Sequence, residues 1–204
     1  MIQAKTLDVS HLPPYEISAQ APLWWGQFLL TLIEVTMFAL LIAAFLYVRL
    51  QVDVWPPPGD QFPHALLPTL ALIPLFASTV GSYWASEAAK KNDRRGMVLG
   101  MAVNLVLAAA FFAVRIFEWH SFNYSYKADS FGTYMWTIMA LHSFDYVASM
   151  IETAVLLVIV ASGRYGERER TGVHVDSVLW YFVVLIWIPL YVVMYWGPRI
   201  LESQ

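Results

Sequence analysis

The chain alternates between five long apolar stretches and short polar segments. An α-helix rises about 1.5 Å per residue and a bilayer's hydrocarbon core is about 30 Å thick, so roughly 20 apolar residues can cross it as a helix. Five transmembrane helices are therefore predicted, over about residues 23–50, 65–89, 96–117, 131–161 and 177–196. Residues 1–22 are expected to be a surface tail, which leaves residues 23–199 as one all-α membrane domain.

The composition agrees with a membrane protein. Of the 204 residues, 59% are hydrophobic and only 13% are charged, which is too apolar for a soluble domain of this size. The 16% of aromatic residues, including nine Trp, are typical of a multi-span protein with aromatic belts at both membrane interfaces. A net charge of −3 gives no indication of a nucleic-acid partner.

The residue inventory argues against a cofactor in this chain. There is no cysteine, which excludes disulfides, thiolate metal sites and covalently attached haem. Of five histidines only His142 lies well inside a span, so a haem held between two histidines is not expected. A metal site at His142, Asp145 and Glu152 is disfavoured, because the two carboxylates lie about 10 Å apart along a helix axis. We expect no catalytic residue here either.

Basic residues are distributed unequally between the connecting segments. Seven lie in the second-to-third and fourth-to-fifth connections, and three lie on the opposite side. The seven are Lys90, Lys91, Arg94, Arg95, Arg164, Arg168 and Arg170, and the three are Arg49, Lys127 and Arg199. The positive-inside rule then predicts an N-terminus on the cytoplasmic or matrix side and a C-terminus outside.

Two of the connections have a predicted character of their own. Residues 55–59 read Trp-Pro-Pro-Pro-Gly, and three successive prolines favour an extended polyproline segment. Residues 164–172 are predicted to be a charged loop.

Glu34 is the only acidic residue of the first span and lies near its middle. A carboxylate near the centre of a bilayer costs about 3 kcal/mol on insertion scales, so Glu34 is expected to be uncharged, paired or facing other protein. Two interpretations stay open: a packing hydrogen bond to a neighbouring helix, or a role in handling protons or lipid.

The fourth span is the most polar. His142, Asp145, Ser149 and Glu152 stand at positions i, i+3, i+7 and i+10, within an arc of roughly 80° on a helix, so they form one stripe. The stripe is expected to face other helices, as a polar packing seam or a proton relay. His142 and Asp145 are close enough in sequence to bond each other, whereas Glu152 needs a donor from an adjacent helix or another subunit.

Arg115 and Glu118 end the third span at spacing i, i+3, which places them on one helix face. An ion pair at the membrane interface is the expected arrangement.

Several short motifs occur in an order that resembles subunit III of the haem–copper oxygen reductases, in a five-span form lacking the first two helices of the seven-span version. The resemblance covers about residues 23–199. The first motif within that range is the intramembrane Glu34-Val35 pair. Further motif positions are Trp55, Pro56, Pro57, Gly59, Trp84, Asp93, Glu118, Trp119, His174, Trp180, Tyr195, Trp196 and Gly197.

Some positions depart from the family pattern. The family's fourth shared helix usually reads His-x-x-His-x-x-x-Gly, where this chain keeps only His142 and has Asp145 and Ser149. Arg115 stands where the family often has Gln. In the last span, Trp180 fits the family's spacing from His174, whereas Trp187 fits the spacing to the closing Tyr-Trp pair.

The resemblance implies an accessory subunit without a redox centre. Haems and copper would lie in subunits I and II of an oxidase that reduces oxygen with electrons from cytochrome c or quinol. The chain would pack on subunit I, hold phospholipid, and support proton uptake and active-site stability. It would do so in a bacterial cytoplasmic or mitochondrial inner membrane. The resemblance also allows membership of a larger respiratory supercomplex. Three alternatives remain: an accessory protein of a nitric oxide reductase, a small transporter, and a lipid-binding scaffold unrelated to respiration.

Overall fold

The computed structural model describes residues 21–197, apart from the side chain of Glu167. Within that range the chain forms five long helices: α1 (Pro22–Leu50), α2 (Leu66–Lys90), α3 (Arg94–Ser121), α4 (Ser130–Ala161) and α5 (Glu167–Tyr191), the last continuing as a π-helical turn over Val192–Trp196. All five are long and apolar enough to cross a membrane, which confirms the predicted all-α class. Most of the predicted tail (residues 1–20) and Arg199 lie outside the described residues.

The predicted charged loop at residues 164–172 is wrong from residue 167 onwards. Helix α5 begins at Glu167, ten residues before the start of the predicted span, and the Gly166 amide donates to Glu169 Oε2 at 2.7 Å. The hydropathy pattern identifies the apolar part of a helix and not its full length. Residues 167–176 are helical but precede the apolar part, so the pattern missed them. A side-chain acceptor for the first amide is a typical helix start.

The predicted polyproline segment is also wrong. The Asp60 amide donates to Pro57 O at 3.1 Å, and Gly59 has φ of +106°, so residues 57–60 form a hydrogen-bonded turn. Proline followed by a residue with positive φ is the pattern of a type II turn, which the glycine permits. Trp55 is buried beside it and packs edge-on against Phe45 (5.6 Å between centroids) and Phe131 (5.2 Å). The loop is thereby held against α1 and α4.

Helices α2 and α3 approach each other most closely, because glycines face glycines. A Cβ added at Gly81 would lie 2.7 Å from the Asn104 amide nitrogen, and one added at Gly100 would lie 2.6 Å from that of Ala85. Small residues permit this backbone contact, and it buries Ser78 and Ser82 of α2 as well.

Helix α1 lies at the periphery, whereas α5 is the most buried helix of the bundle. Only Gln27, Phe38 and Phe45 of α1 are buried. Between the start of α1 and the facing parts of α4 and α5 lies an open groove of about 550 Å³. This groove, which we call the α1/α4 groove, is lined by Leu23, Glu152, Val155, Leu156, Ile159, Arg168, Glu169 and Gly172.

The loop after α1 carries an acidic contact that predicts a pH effect. Partial burial and the neighbouring carboxylate of Asp129 raise the pKa of Asp60. Because folding favours the protonated form, this contribution to stability is present below the ordinary Asp pKa and is lost as the pH rises through the raised value. Asp60→Asn should therefore raise the melting temperature at neutral pH, and the gain should shrink as the pH falls towards 4. Asp53→Asn, at an exposed position of the same loop, is the control, and an equal gain for both variants would contradict this account.

Candidate functional site

Two of the predicted acidic residues lie within electrostatic range of each other, one on α1 and one on α4. Glu34 and Asp145 are each half-buried, and their carboxyl groups lie within electrostatic range of each other. Glu34 Oε2 and Asp145 Oδ2 are buried and receive no hydrogen bond from the described part of the chain. The structure therefore places within electrostatic range two carboxyl groups that the sequence does not link.

His142 points the other way, into the bundle. It is fully buried, its Nε2 lies 3.0 Å from Val183 O of α5, and its ring lies 4.5 Å from that of Trp187. The possible bond between His142 and Asp145 is not formed. Three residues along a helix turn the side chain by about 60°, which here directs His142 to α5 and Asp145 towards α1.

The other two residues of the stripe, Ser149 and Glu152, also differ in their surroundings. Ser149 is buried, and its hydroxyl donates to the backbone oxygen of Asp145 in the preceding turn, at 2.9 Å. Glu152 is exposed in the α1/α4 groove, and the structure describes no hydrogen bond to it from an adjacent helix. The expected donor for Glu152 from a neighbouring helix of this chain is thus not found among residues 21–197. We call Glu34, Asp145 and Glu152 together the acidic face.

Arg115 and Glu118 lie next to each other, as predicted, and both side chains are buried. Arg115 Nε lies 3.6 Å from Glu118 Oε2, and the two side chains are almost inaccessible to solvent. Helix α3 continues to Ser121, and Tyr124 of the following loop is buried within electrostatic range of Glu118.

Aromatic rings surround the guanidinium group. Its Cζ lies 3.8 Å from the Trp187 ring centroid and 4.9 Å from that of Phe111, and Nη1 contacts Met139 Sδ. Cation–π contacts of this kind stabilise a cation most strongly where water is excluded.

A second buried carboxyl group, Asp176, was missed as a site. Thr153 donates to it (2.8 Å to Oδ1), and Trp180 Nε1 donates to Thr153 Oγ1 at 2.6 Å. Asn104 of α3 completes the cluster, donating to Ser78 O (3.2 Å) and accepting from Trp180 Nε1 (2.9 Å) in the amide orientation that satisfies both. The sequence does show a polar residue inside each of three helices: Asn104 in α3, Thr153 in α4 and Asp176 in α5. It does not show that these three residues lie close together.

The motif positions have clear structural roles. Asp93 caps α3 by accepting from the Arg95 amide at 3.1 Å, and His174 Nδ1 lies 2.7 Å from Ser86 Oγ of α2. Trp84 is exposed on the outer face of α2. Trp180 and Trp187 are both buried, because seven residues are almost two complete turns and place both rings on one face of α5.

Among residues 21–197 there is no group of three or more His, Asp or Glu side chains arranged to hold a metal ion. The arrangement offers instead a half-exposed acidic face, an adjoining groove, and two buried polar clusters that join α3, α4 and α5.

Comparison with known proteins identifies relatives along nearly the whole chain. The family model described as cytochrome c oxidase subunit III matches residues 7–198. A cytochrome c oxidase subunit 3 of Thermostichus vulcanus is 26% identical over 79% of this chain and 81% of its own length. One from Synechocystis sp. is 24% identical, covering 84% of this chain and 74% of the relative, and one from Cyprinus carpio is 25% identical, covering 96% and 76%.

Proposed function

This chain belongs to the cytochrome c oxidase subunit III family, and we propose that it serves as an accessory subunit of a haem–copper oxidase in aerobic respiration. The observation that carries this function is the family match over residues 7–198, together with five helices able to cross a membrane. Haem and copper would be held by subunits I and II, and the electron donor would be cytochrome c or quinol. The membrane would be the bacterial cytoplasmic membrane or the mitochondrial inner membrane.

The acidic face is the part of the chain that we assign to contact with subunit I and with phospholipid. Half-exposed carboxyl groups facing acyl chains would cost about 3 kcal/mol each on insertion scales, so polar atoms of a partner are the favourable neighbours. The α1/α4 groove has apolar walls for acyl chains, and Arg168 in its lining could bind a lipid phosphate. Packing is the primary role that this geometry supports, and assistance to proton uptake is the second.

Charge-neutral variants of α4 test this function. Asp145→Asn and Glu152→Gln keep shape and most hydrogen bonds while removing the charge. If the acidic face serves packing, both variants should assemble with the oxidase and sustain turnover close to the parent's. Normal assembly with slowed proton uptake would assign the face to proton delivery instead. Failure of the parental chain to associate with any oxidase subunit would contradict an accessory role altogether.

Glu34 gives a paired prediction. Glu34→Gln keeps the volume and the hydrogen-bonding groups, so assembly should stay near the parental level. Glu34→Ala loses a hydrogen bond and leaves a void against the partner. A loss of about 1 kcal/mol in the free energy of association would reduce the assembled complex roughly fivefold. The measurement is the yield of intact complex on native gels. Equal damage from both variants would show that the negative charge itself is needed.

The orientation in the membrane gives a further prediction. Arg94 of α3 donates through Nε to Val160 O at 2.9 Å, so the α2–α3 turn and the end of α4 share one side. We propose that this side is cytoplasmic or matrix. Because the chain has no cysteine, single replacements Lys91→Cys, Arg164→Cys and Lys127→Cys can be labelled selectively. An impermeant maleimide should reach the first two only from the inner side and the third only from outside. The reverse pattern would invert the topology.

A further inference from the structure

Four buried polar atoms, on the C-terminal halves of α3 and α5 and on α4, have no hydrogen-bond partner among the described residues. Their side chains are almost fully buried, with exposed fractions of 2% for Arg115, 4% for Glu118, 0% for His142 and 1% for Trp187. The atoms are Arg115 Nη2, Glu118 Oε1, His142 Nδ1 and Trp187 Nε1. A buried polar group without a partner is costly, so four in one region require an explanation.

These side chains converge at one place. The Arg115 guanidinium lies 3.8 Å from the Trp187 ring centroid, and the His142 and Trp187 centroids are 4.5 Å apart. Glu118 Oε2 lies 3.6 Å from Arg115 Nε. Three helices therefore contribute to a single polar region in an otherwise aromatic core.

The hydrogen-bonding character of each atom follows from its other contacts. His142 Nε2 lies 3.0 Å from Val183 O, and since a carbonyl oxygen only accepts, Nε2 carries the proton. In the neutral ring, Nδ1 is then an acceptor, like Glu118 Oε1. Arg115 Nη2 and Trp187 Nε1 can only donate. The region thus presents two donors and two acceptors.

We propose that this region is an internal water-binding site, in which Arg115, Glu118, His142 and Trp187 hold one or more water molecules between α3, α4 and α5. Water donates twice and accepts twice, which complements two donors and two acceptors. Buried waters in proteins typically make about three hydrogen bonds to groups of this kind. An anion would meet the Glu118 carboxyl group and a metal ion would meet the Arg115 guanidinium, so the balanced set selects a neutral ligand.

The site goes beyond the accessory function, because it needs no contact with a partner and lies apart from the acidic face. It explains how Arg115 and Glu118 can be buried together, with Nε and Oε2 3.6 Å apart, although Arg115 Nη2 and Glu118 Oε1 have no hydrogen-bond partner among the described residues. Water completes the hydrogen bonding of both and ties the pair to His142 of α4 and Trp187 of α5.

A density map of the full-length chain, purified in mild detergent with whatever subunits accompany it, tests the site directly. At a resolution that shows ordered water, density should lie about 2.7–3.2 Å from Arg115 Nη2 and from His142 Nδ1 or Glu118 Oε1. Direct pairing of the four atoms with one another, a side chain of another subunit inserted among them, or a region without density would each overturn the proposal. The test does not depend on which complex the chain joins.

Where the map does not resolve water, hydroxyl-radical footprinting tests the site, with Trp180 of the same helix as the control for Trp187. Radiolysis of bound water labels the side chains next to it. Trp187 and Trp180 are equally buried, but Trp180 Nε1 is already paired with Thr153 and Asn104. Trp187 should be labelled several-fold more than Trp180, and labelling should fall in a His142→Leu variant. Equal labelling of the two tryptophans would overturn the proposal.

Discussion

Replacing Arg115 with methionine should lower the free energy of unfolding by about 3 to 5 kcal/mol, because it leaves the Glu118 carboxyl group buried without its cation. Both side chains are almost fully inaccessible, and Glu118 Oε2 is 3.6 Å from Arg115 Nε. The substitution also removes the cation that lies over the rings of Trp187 and Phe111. Methionine retains much of the volume, so the loss reports the charge and its hydrogen bonds rather than a cavity.

The chain contains a matched control for this variant. Lys90 and Glu87 form an ion pair at the same i, i+3 spacing, with Nζ 2.6 Å from Oε1, but at the exposed end of α2. Exposed pairs contribute little, so Lys90→Met should be close to the parent. The double variant Arg115→Met with Glu118→Gln removes the unpaired charge and should recover much of the loss. Denaturation in mild detergent measures all three, and equal stability of the Arg115 and Lys90 variants would contradict the buried pair.

Gly100→Ala should separate α2 from α3 and cost about 1 to 3 kcal/mol, the usual range for overpacking. The new Cβ would lie 2.6 Å from the Ala85 amide nitrogen and 2.8 Å from Gly81 O. Both are backbone atoms, which cannot move aside without moving the helix. Gly100→Val adds two further carbons at the same contact and should reduce the amount of folded chain more strongly.

Gly26→Ala is the control for the Gly100 variants. Gly26 lies in α1, and nothing comes within 4 Å of a Cβ added there. Alanine is the better helix former by up to about 1 kcal/mol, so this variant should be as stable as the parent or slightly more stable. Melting temperatures of the purified proteins give the comparison. A Gly100→Ala protein as stable as Gly26→Ala would show that the close approach of α2 and α3 is not present.

The helices could be predicted from the sequence because each one must hide its backbone polar groups across the whole apolar core, which produces a long hydropathy signal. The start of α5 could not, since residues from 167 to 176 form helix without being continuously apolar. The turn at residues 57–60 was missed for a local reason. Gly59 adopts a positive φ that reverses the chain, although the preceding prolines favour extension.

The candidate site was predictable as a set of residues but not as a set of contacts. Polar side chains inside apolar spans are visible in any sequence, which is how His142, Asp145 and Glu34 were found. Their partners depend on how each helix is rotated and tilted against its neighbours. His142 bonds Val183 O, and Asp145 lies within electrostatic range of Glu34. Asp176 was overlooked because it stands at the edge of a charged stretch, where an acidic residue suggests solvent.

The most direct test of the accessory role is purification of the tagged chain in mild detergent, with mass spectrometry of its partners and a reduced-minus-oxidised haem spectrum of the same sample. We expect co-purification with the haem- and copper-bearing subunits of an oxygen-reducing oxidase, and a haem signal that stays with those subunits when this chain is dissociated. Isolation of the chain with nitric oxide reductase subunits, or a Soret band carried by the chain alone, would contradict it.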